Sequence, residues 1–248
     1  MNPVLLVTGG SRGIGAATAR LAAQRGYAVA VNYRANAAAA ETVVAGIAAA
    51  GGRAIAVAAD VSVEADVNRL FATVERELGR VTALVNNAGV IAPATHVDSV
   101  DLVRLKQLFG TNVFGSFLCA RAAIRRMSTR HGGNGGAIVN VSSGAARHGA
   151  PGEFVDYAAT KAAIDTFTIG LAREVAAEGI RVNAVRPGFI ATEIHAASGD
   201  PNRLQRVRQQ VPMQRPGEPA EVAEAILWLL SEAASYTSGA IIDVAGAK

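Results

Sequence analysis

The sequence predicts a single α/β domain, a doubly wound parallel sheet with helices on both faces. Three observations predict it. Continuous apolar runs alternate with helical periodicity along the whole chain. Strands that are apolar throughout, rather than at every second residue, are those covered on both faces. A glycine-rich turn, Gly9-Gly10-Ser11-Arg12-Gly13-Ile14-Gly15, joins the first apolar run to the first helix. No linker or composition break interrupts the 248 residues, a length within the range of one α/β unit.

Each element has its own signal. Residues 4–8 are an unbroken apolar strand, and 12–25 carry Ile14, Ala17 and Leu21 at helical spacing, with Gly26 fit to cap the end. Residues 28–33 form the second strand, 37–50 an alanine-rich helix closed by Gly51-Gly52, and 53–59 the third strand, ending at Asp60. Ser62 fits the N-cap of a helix over 63–78, and 83–87 are the fourth strand, running into Ala88-Gly89. Residues 100–130 read as one long helical segment, although Asn112 and Gly115 are poor interior residues. A glycine turn at 132–136 leads to the fifth strand, 137–141, which ends in Ser142-Ser143-Gly144. A loop through Pro151 precedes a helix over 154–178, and the sixth strand, 180–185, is stopped by Pro187-Gly188. Residues 189–217 read as a mobile segment. Pro219 opens a helix bearing Trp228, and 240–244 are a last short strand.

In such a sheet a ligand lies beyond the carboxyl ends of the strands. Thr8 to Gly15, Tyr33-Arg34, Asp60-Val61, Asn86 to Gly89, Ser142-Ser143 and Pro187-Gly188 therefore face one crevice. Glycines let a backbone turn sharply and approach a pyrophosphate, and a helix start favours negative charge. The spacing here, T-G-x-x-x-G-x-G, differs from the dinucleotide fingerprint G-x-G-x-x-G.

Tyr157 and Lys161 are spaced i, i+4 and share a helix face. A free tyrosine titrates near 10, and a neighbouring ammonium favours its phenolate. The pair thus reads as an acid/base with its tuner, placed after a serine-bearing strand end.

Taken together, Thr8-Gly9-Gly10-Ser11-Arg12-Gly13-Ile14-Gly15, Asp60-Val61, Asn86-Asn87-Ala88-Gly89, Asn112, Ser143, Tyr157-Ala158-Ala159-Thr160-Lys161 and Pro187-Gly188 resemble the short-chain dehydrogenase/reductase family, in order and over essentially the whole chain. The resemblance implies a Rossmann fold of seven parallel strands, a nicotinamide cofactor and a Ser–Tyr–Lys–Asn set. Ser143 would polarise the substrate oxygen, Tyr157 would exchange a proton with it, and Lys161 would tune Tyr157 and hold the nicotinamide ribose. Asn112 would hold a water leading to Lys161. Ser143 stands 14 residues before Tyr157, a slightly long gap, and Ser142 is also available. Asp60 and Val61 would meet the adenine, and Asn86, Ala88 and Gly89 its ribose. Ile190 and Thr192 would meet the nicotinamide amide. Residues 190–217 would form a substrate lid, holding Ile194, His195, Leu204, Val207, Val211 and Met213.

The first 40 residues contain no Asp or Glu, and the second strand ends in Asn32-Tyr33-Arg34. An arginine there accommodates the 2′-phosphate of NADP, where an NAD site offers a carboxylate. With Arg12 in the glycine turn, this predicts NADP(H).

The remaining composition narrows the classes. The net charge of +4 is modest and the basic residues are not interleaved with aromatics, which argues against nucleic acid. No run is long enough to span a membrane, and the first strand starts too near Met1 for a presequence. The single cysteine, Cys119, reads as a core thiol and fits a reducing cytoplasm. No histidine, cysteine or carboxylate spacing suggests a metal site. His96, His131 and His148 read as loop or surface residues. The family resemblance extends to β-ketoacyl-carrier-protein reductases, through residues 171–175 and the basic Arg125, Arg126 and Arg130, which would steer an acidic acyl carrier protein. Sugar or small-alcohol dehydrogenases compete with that reading, as do a non-catalytic NADP-binding regulator and dehydration or epimerisation on the same fold. The family suggests a homotetramer acting on a small carbonyl or alcohol.

Overall fold

The computed structural model describes residues 2–193 and 208–248. Seven strands, β1 (Val4–Val7), β2 (Ala28–Tyr33), β3 (Arg53–Ala58), β4 (Ala83–Asn86), β5 (Gly136–Val141), β6 (Ile180–Pro187) and β7 (Ile241–Val244), form one sheet in the order β3-β2-β1-β4-β5-β6-β7. Every pairing is parallel. The order reverses beside β1, between β2 and β4, and a ligand crevice opens at such a switch point.

Eight helices accompany the sheet among the described residues: α1 (Gly13–Gln24), α2 (Ala37–Ala49), α3 (Glu64–Glu77), α4 (Leu102–Phe109), α5 (Gly115–Met127), α6 (Ala145–His148), α7 (Val155–Val175) and α8 (Pro219–Leu230). Side chains alternate across the sheet, so each strand feeds two cores. Leu6, Leu84, Ile138 and Val182 pack with Phe71, Cys119, Met127 and Val175 on the face of α3, α5 and α7. Leu5, Val7, Val85 and Val139 pack with Ala19, Val43 and Ile226 on the face of α1, α2 and α8. The continuous apolar character of the strands follows from this double coverage. Burial pushes the Cys119 thiol up to about 12, which keeps it protonated and unreactive.

Three elements differ from expectation. The segment expected as one helix over 100–130 is divided: a π-helical turn, Gly110–Phe114, separates α4 from α5 and carries Asn112. Ser62 does not cap α3. Its amide and hydroxyl both donate to Asp60 Oδ1, at 2.9 and 2.6 Å, and Val63 takes the cap position. The loop before α7 contains the single turn α6, too short to show a period in sequence.

Candidate active site

A cavity of about 510 Å³ opens at the carboxyl ends of the strands. The glycine turn forms one end. Gly9 has φ +60°, and a Cβ there would stand 2.9 Å from Ala88 Cα. Gly15 lies behind the turn rather than on the cavity. Its absent Cβ would come within 2.5 Å of Asn87 Nδ2 and of the Gly9 carbonyl, so this glycine lets α1 close onto the turn. Gly9, Ser11, Arg12, Gly13 and Ile14 line the cavity itself.

Asn32 is buried at the end of β2. Its Nδ2 donates to the Ala59 carbonyl at 3.0 Å, and its Oδ1 accepts from the Gly9 amide at 3.2 Å. This residue, expected to bind cofactor, lines the cavity, and its side chain braces the glycine turn. Tyr33 and Arg34 follow on the cavity wall, and Arg34 stands 3.9 Å from the Asp60 carboxylate. Arg12 is exposed and has no ion-pair partner among the described residues. Asp60 and Val61 complete this end.

Asn86 was expected at the adenine ribose. It instead turns into the core, where its Nδ2 donates to Asn140 Oδ1 at 2.9 Å and to the Ser116 carbonyl at 3.2 Å. The next residue, Asn87, reaches the cavity and donates to the Thr8 and Gly9 carbonyls, both at 2.9 Å. Side-chain alternation explains the exchange: at a strand end only one of two neighbours faces the crevice. Ala88 and Gly89 line the cavity as expected, with Pro187, Gly188, Ile190 and Thr192 opposite. A Cβ on Gly13 would lie 3.0 Å from Thr192 Cγ2, so Thr192 closes over the glycine turn.

Ser143, Tyr157 and Lys161 line the same cavity, with Lys161 Nζ 5.7 Å from the centre of the Tyr157 ring. Of the two serines, Ser142 is buried and its Oγ donates to the Lys161 carbonyl at 3.1 Å, whereas Ser143 acts on the Tyr157 phenol. Burial pushes the phenol above its ordinary value, and the Ser143 hydroxyl opposes that rise. Lys161 is buried, and its Nζ donates to the Val141 carbonyl at 2.8 Å. Burial pulls its ammonium down to about 8, opposed by the Asp165 carboxylate. Asn112 lies just behind, fully buried: its Oδ1 accepts from the Val90 amide at 2.8 Å, and its Nδ2 donates to the Val90 carbonyl and to Thr160 Oγ1, both at 3.0 Å.

Apolar walls flank this centre. Ala145, Ala150, Phe154 and Ala158 form a small core with Ile91 against Tyr157. Val90, Phe189, Ala245 and Lys248 also line the cavity and were not singled out from sequence, and His148, read as a loop or surface histidine, is exposed at the end of α6 and lines it too. Ala245 follows β7, so extending the strand-end rule to the seventh strand finds it. Ile194, His195, Leu204 and Val207 of the expected lid lie outside the described residues. Arg126 is engaged by Glu75 and packs over the Phe71 ring, and Arg130 stands 3.9 Å from Glu178. These arginines and Arg125 lie at the end of α5 or just beyond it, and none of them lines the cavity. Among the described residues, no cluster of His, Cys, Asp or Glu is placed to hold a metal, and no helix is long and apolar enough to cross a membrane.

A seven-stranded parallel sheet of this order, with a serine, a tyrosine and a lysine meeting over a glycine-turn cavity, defines a dinucleotide-dependent oxidoreductase class, and the chain belongs to the short-chain dehydrogenase/reductase family. Residues 9–246 match a family model of that group described as enoyl-(acyl carrier protein) reductase. An uncharacterized oxidoreductase of Escherichia coli K12, YgfF, is 55% identical, with 99% of each chain covered. A 3-oxoacyl-[acyl-carrier-protein] reductase of Synechocystis is 40% identical over 98% of this chain and 95% of its own. A 3-ketoacyl-(acyl-carrier-protein) reductase of Brucella melitensis, solved in complex with NADH, superposes with a TM-score of 0.90 at 33% identity, covering 98% of this chain and 97% of its own. The protein is thus an oxidoreductase with a Rossmann fold.

Proposed function

We propose that this protein interconverts a ketone and a secondary alcohol with NADP(H), using Tyr157 as acid/base. The meeting of Ser143, Tyr157 and Lys161 beside an apolar wall is the observation that supports it most. The cradle at Gly9, where any side chain would strike Ala88, fits a pyrophosphate, and the cavity is large enough for a dinucleotide's reactive end. Gly9, Ser11, Gly13 and Ile14 would hold the phosphates, Arg12 and Arg34 the 2′-phosphate, and Asp60 and Val61 the adenine. Ala88, Gly89, Ile190 and Thr192 would follow the ribose and nicotinamide. The bound cofactor supplies or accepts the hydride.

The chain's own residues handle the proton. Ser143 hydrogen-bonds the substrate oxygen and polarises it. Tyr157 gives that oxygen its proton in reduction and takes it back in oxidation. The Lys161 ammonium, fixed on the Val141 carbonyl, stabilises the resulting phenolate. Oxidation of NADPH by purified protein against a panel of ketones tests the reading. Saturable turnover supports it, and tight NADPH binding with no turnover on any ketone favours a non-catalytic binding protein instead.

A second reading, reduction of a β-ketoacyl chain on an acyl carrier protein, is favoured by the names of the Synechocystis and Brucella relatives. Turnover of an acyl thioester that falls when Arg130 and Arg173 are replaced by Glu supports it. Turnover of free ketones only removes it. The assembly expected of the family is a homotetramer, and light scattering of the purified protein measures it.

A further inference from the structure

Behind the Tyr157–Lys161 pair runs a chain of ion pairs that no catalytic role accounts for. Arg186, at the end of β6, donates from Nε at 2.9 Å and from a terminal nitrogen at 2.8 Å to Asp165 Oδ2. Asp165 stands one helical turn beyond Lys161 on α7. On its other side Arg186 lies 3.7 Å from Asp243 Oδ1 in β7, and Asp243 Oδ2 accepts from Arg147 at 2.6 Å. Arg147 belongs to α6, which starts directly after Ser143-Gly144. The backbone repeats the link: the Gly144 amide donates to the Pro187 carbonyl at 2.9 Å, one residue past Arg186.

We propose that Arg186 is a positioning residue of the reaction: through Asp165 on one side and Asp243 on the other, it locks the helix bearing Tyr157 and Lys161 to the segment bearing Ser143. The inference rests on the Ser143–Tyr157–Lys161 reading.

The electrostatics sharpen it. Asp165 is buried, and its Oδ1 has no hydrogen-bond partner among the described residues. Its charge is therefore compensated through Oδ2 by Arg186. A buried carboxylate stripped of its partner either distorts its surroundings or acts undiminished on the next charge. The next charge is Lys161, whose ammonium Asp165 already favours. The ionisable groups around this site are Tyr157, Asp156 and Asp165 on α7, Arg104 on α4, Arg147 and His148 on α6, Arg186 on β6 and Asp243 on β7. From the other packed elements come Ser142 and Ser143 after β5 and Asn112 in the π-helical turn, none of them charged. Arg186 thus acts on Lys161 in two ways: it fixes the helix, and it moderates the Asp165 field.

The test compares Arg186→Met, Asp165→Asn and Tyr157→Phe with wild type, using NADPH and a ketone that wild type reduces. Arg186→Met should lower kcat about tenfold or more with KM within about threefold, since a positioning loss acts after binding. The alkaline limb of the pH–rate profile should move in opposite directions. Asp165→Asn removes a negative charge, lowers the lysine and shifts the limb to lower pH. Arg186→Met unmasks Asp165, raises the lysine and shifts it higher, each by roughly half a unit or more. Arg186→Lys, which keeps the charge, should recover the limb more fully than the rate. A purely structural ion pair predicts reduced stability with kcat and limb unchanged, and that result overturns the proposal. If Arg186→Met fails to fold, Asp165→Asn decides, with a limb shifted to lower pH supporting the proposal and an unmoved limb overturning it. Full activity of Tyr157→Phe would instead overturn the underlying site reading, so the two failures are distinct.

Discussion

Asn112 holds Val90 by both of its backbone groups, accepting from its amide at 2.8 Å and donating to its carbonyl at 3.0 Å. A π-helical turn places the amide there, and Val90 is part of the cavity wall. Removing the Asn112 amide leaves three polar groups, two on Val90 and the Thr160 hydroxyl, without this partner inside the protein. Asn112→Ala should therefore cost about 2 kcal/mol or more of unfolding free energy. Denaturant unfolding of the variant checks this, and a loss below about 0.5 kcal/mol would show that the wall does not depend on Asn112.

Arg12 and Arg34 frame the adenine end, with Arg34 near Asp60. If they take the 2′-phosphate, changing both to Ala should raise KM for NADPH about tenfold or more while leaving KM for NADH within about threefold. Equal changes for both cofactors, or a wild type that prefers NADH, contradict the NADP(H) reading.

Asp156 precedes Tyr157 and is buried against Arg104. Burial alone would raise its carboxyl, but the Arg104 guanidinium and the Tyr157 amide together hold it below the ordinary value. A depressed folded value means that the stabilisation is complete above the unfolded pKa, about 3.9. It is lost as pH falls through the folded value. Wild type should lose stability below about pH 4, and Asp156→Asn should flatten that slope while costing roughly 2–3 kcal/mol near neutrality. Urea midpoints between pH 3 and 7 measure both, and parallel curves for the two proteins would contradict the assignment.

The strands were legible because both faces of the sheet are covered, which leaves continuous apolar runs in the sequence. The glycine turn and the Tyr157–Lys161 spacing were legible because local chemistry fixes them. What escaped depends on direction or distance. Asn86 and Asn87 are adjacent, and only the phase of the strand end decides which one faces the crevice. Asn32 was visible at the end of its strand, but its use as a brace depends on the Gly9 amide and the Ala59 carbonyl, which other segments supply. The break between α4 and α5 was signalled by Asn112 and Gly115, yet its π-helical form follows from tertiary contacts at Val90 and Thr160. The Asp165–Arg186–Asp243–Arg147 chain joins residues up to 96 positions apart, beyond any sequence period.

Tyr157→Phe tests the central claim most directly. The substitution removes one oxygen and leaves the half-buried ring in place. With saturating NADPH and a ketone that the wild type reduces, it should lower kcat by roughly a hundredfold or more, while NADPH binding followed by fluorescence stays within about threefold. A Tyr157→Phe enzyme that keeps kcat within a few-fold of wild type would contradict the assignment of Tyr157 as the proton donor.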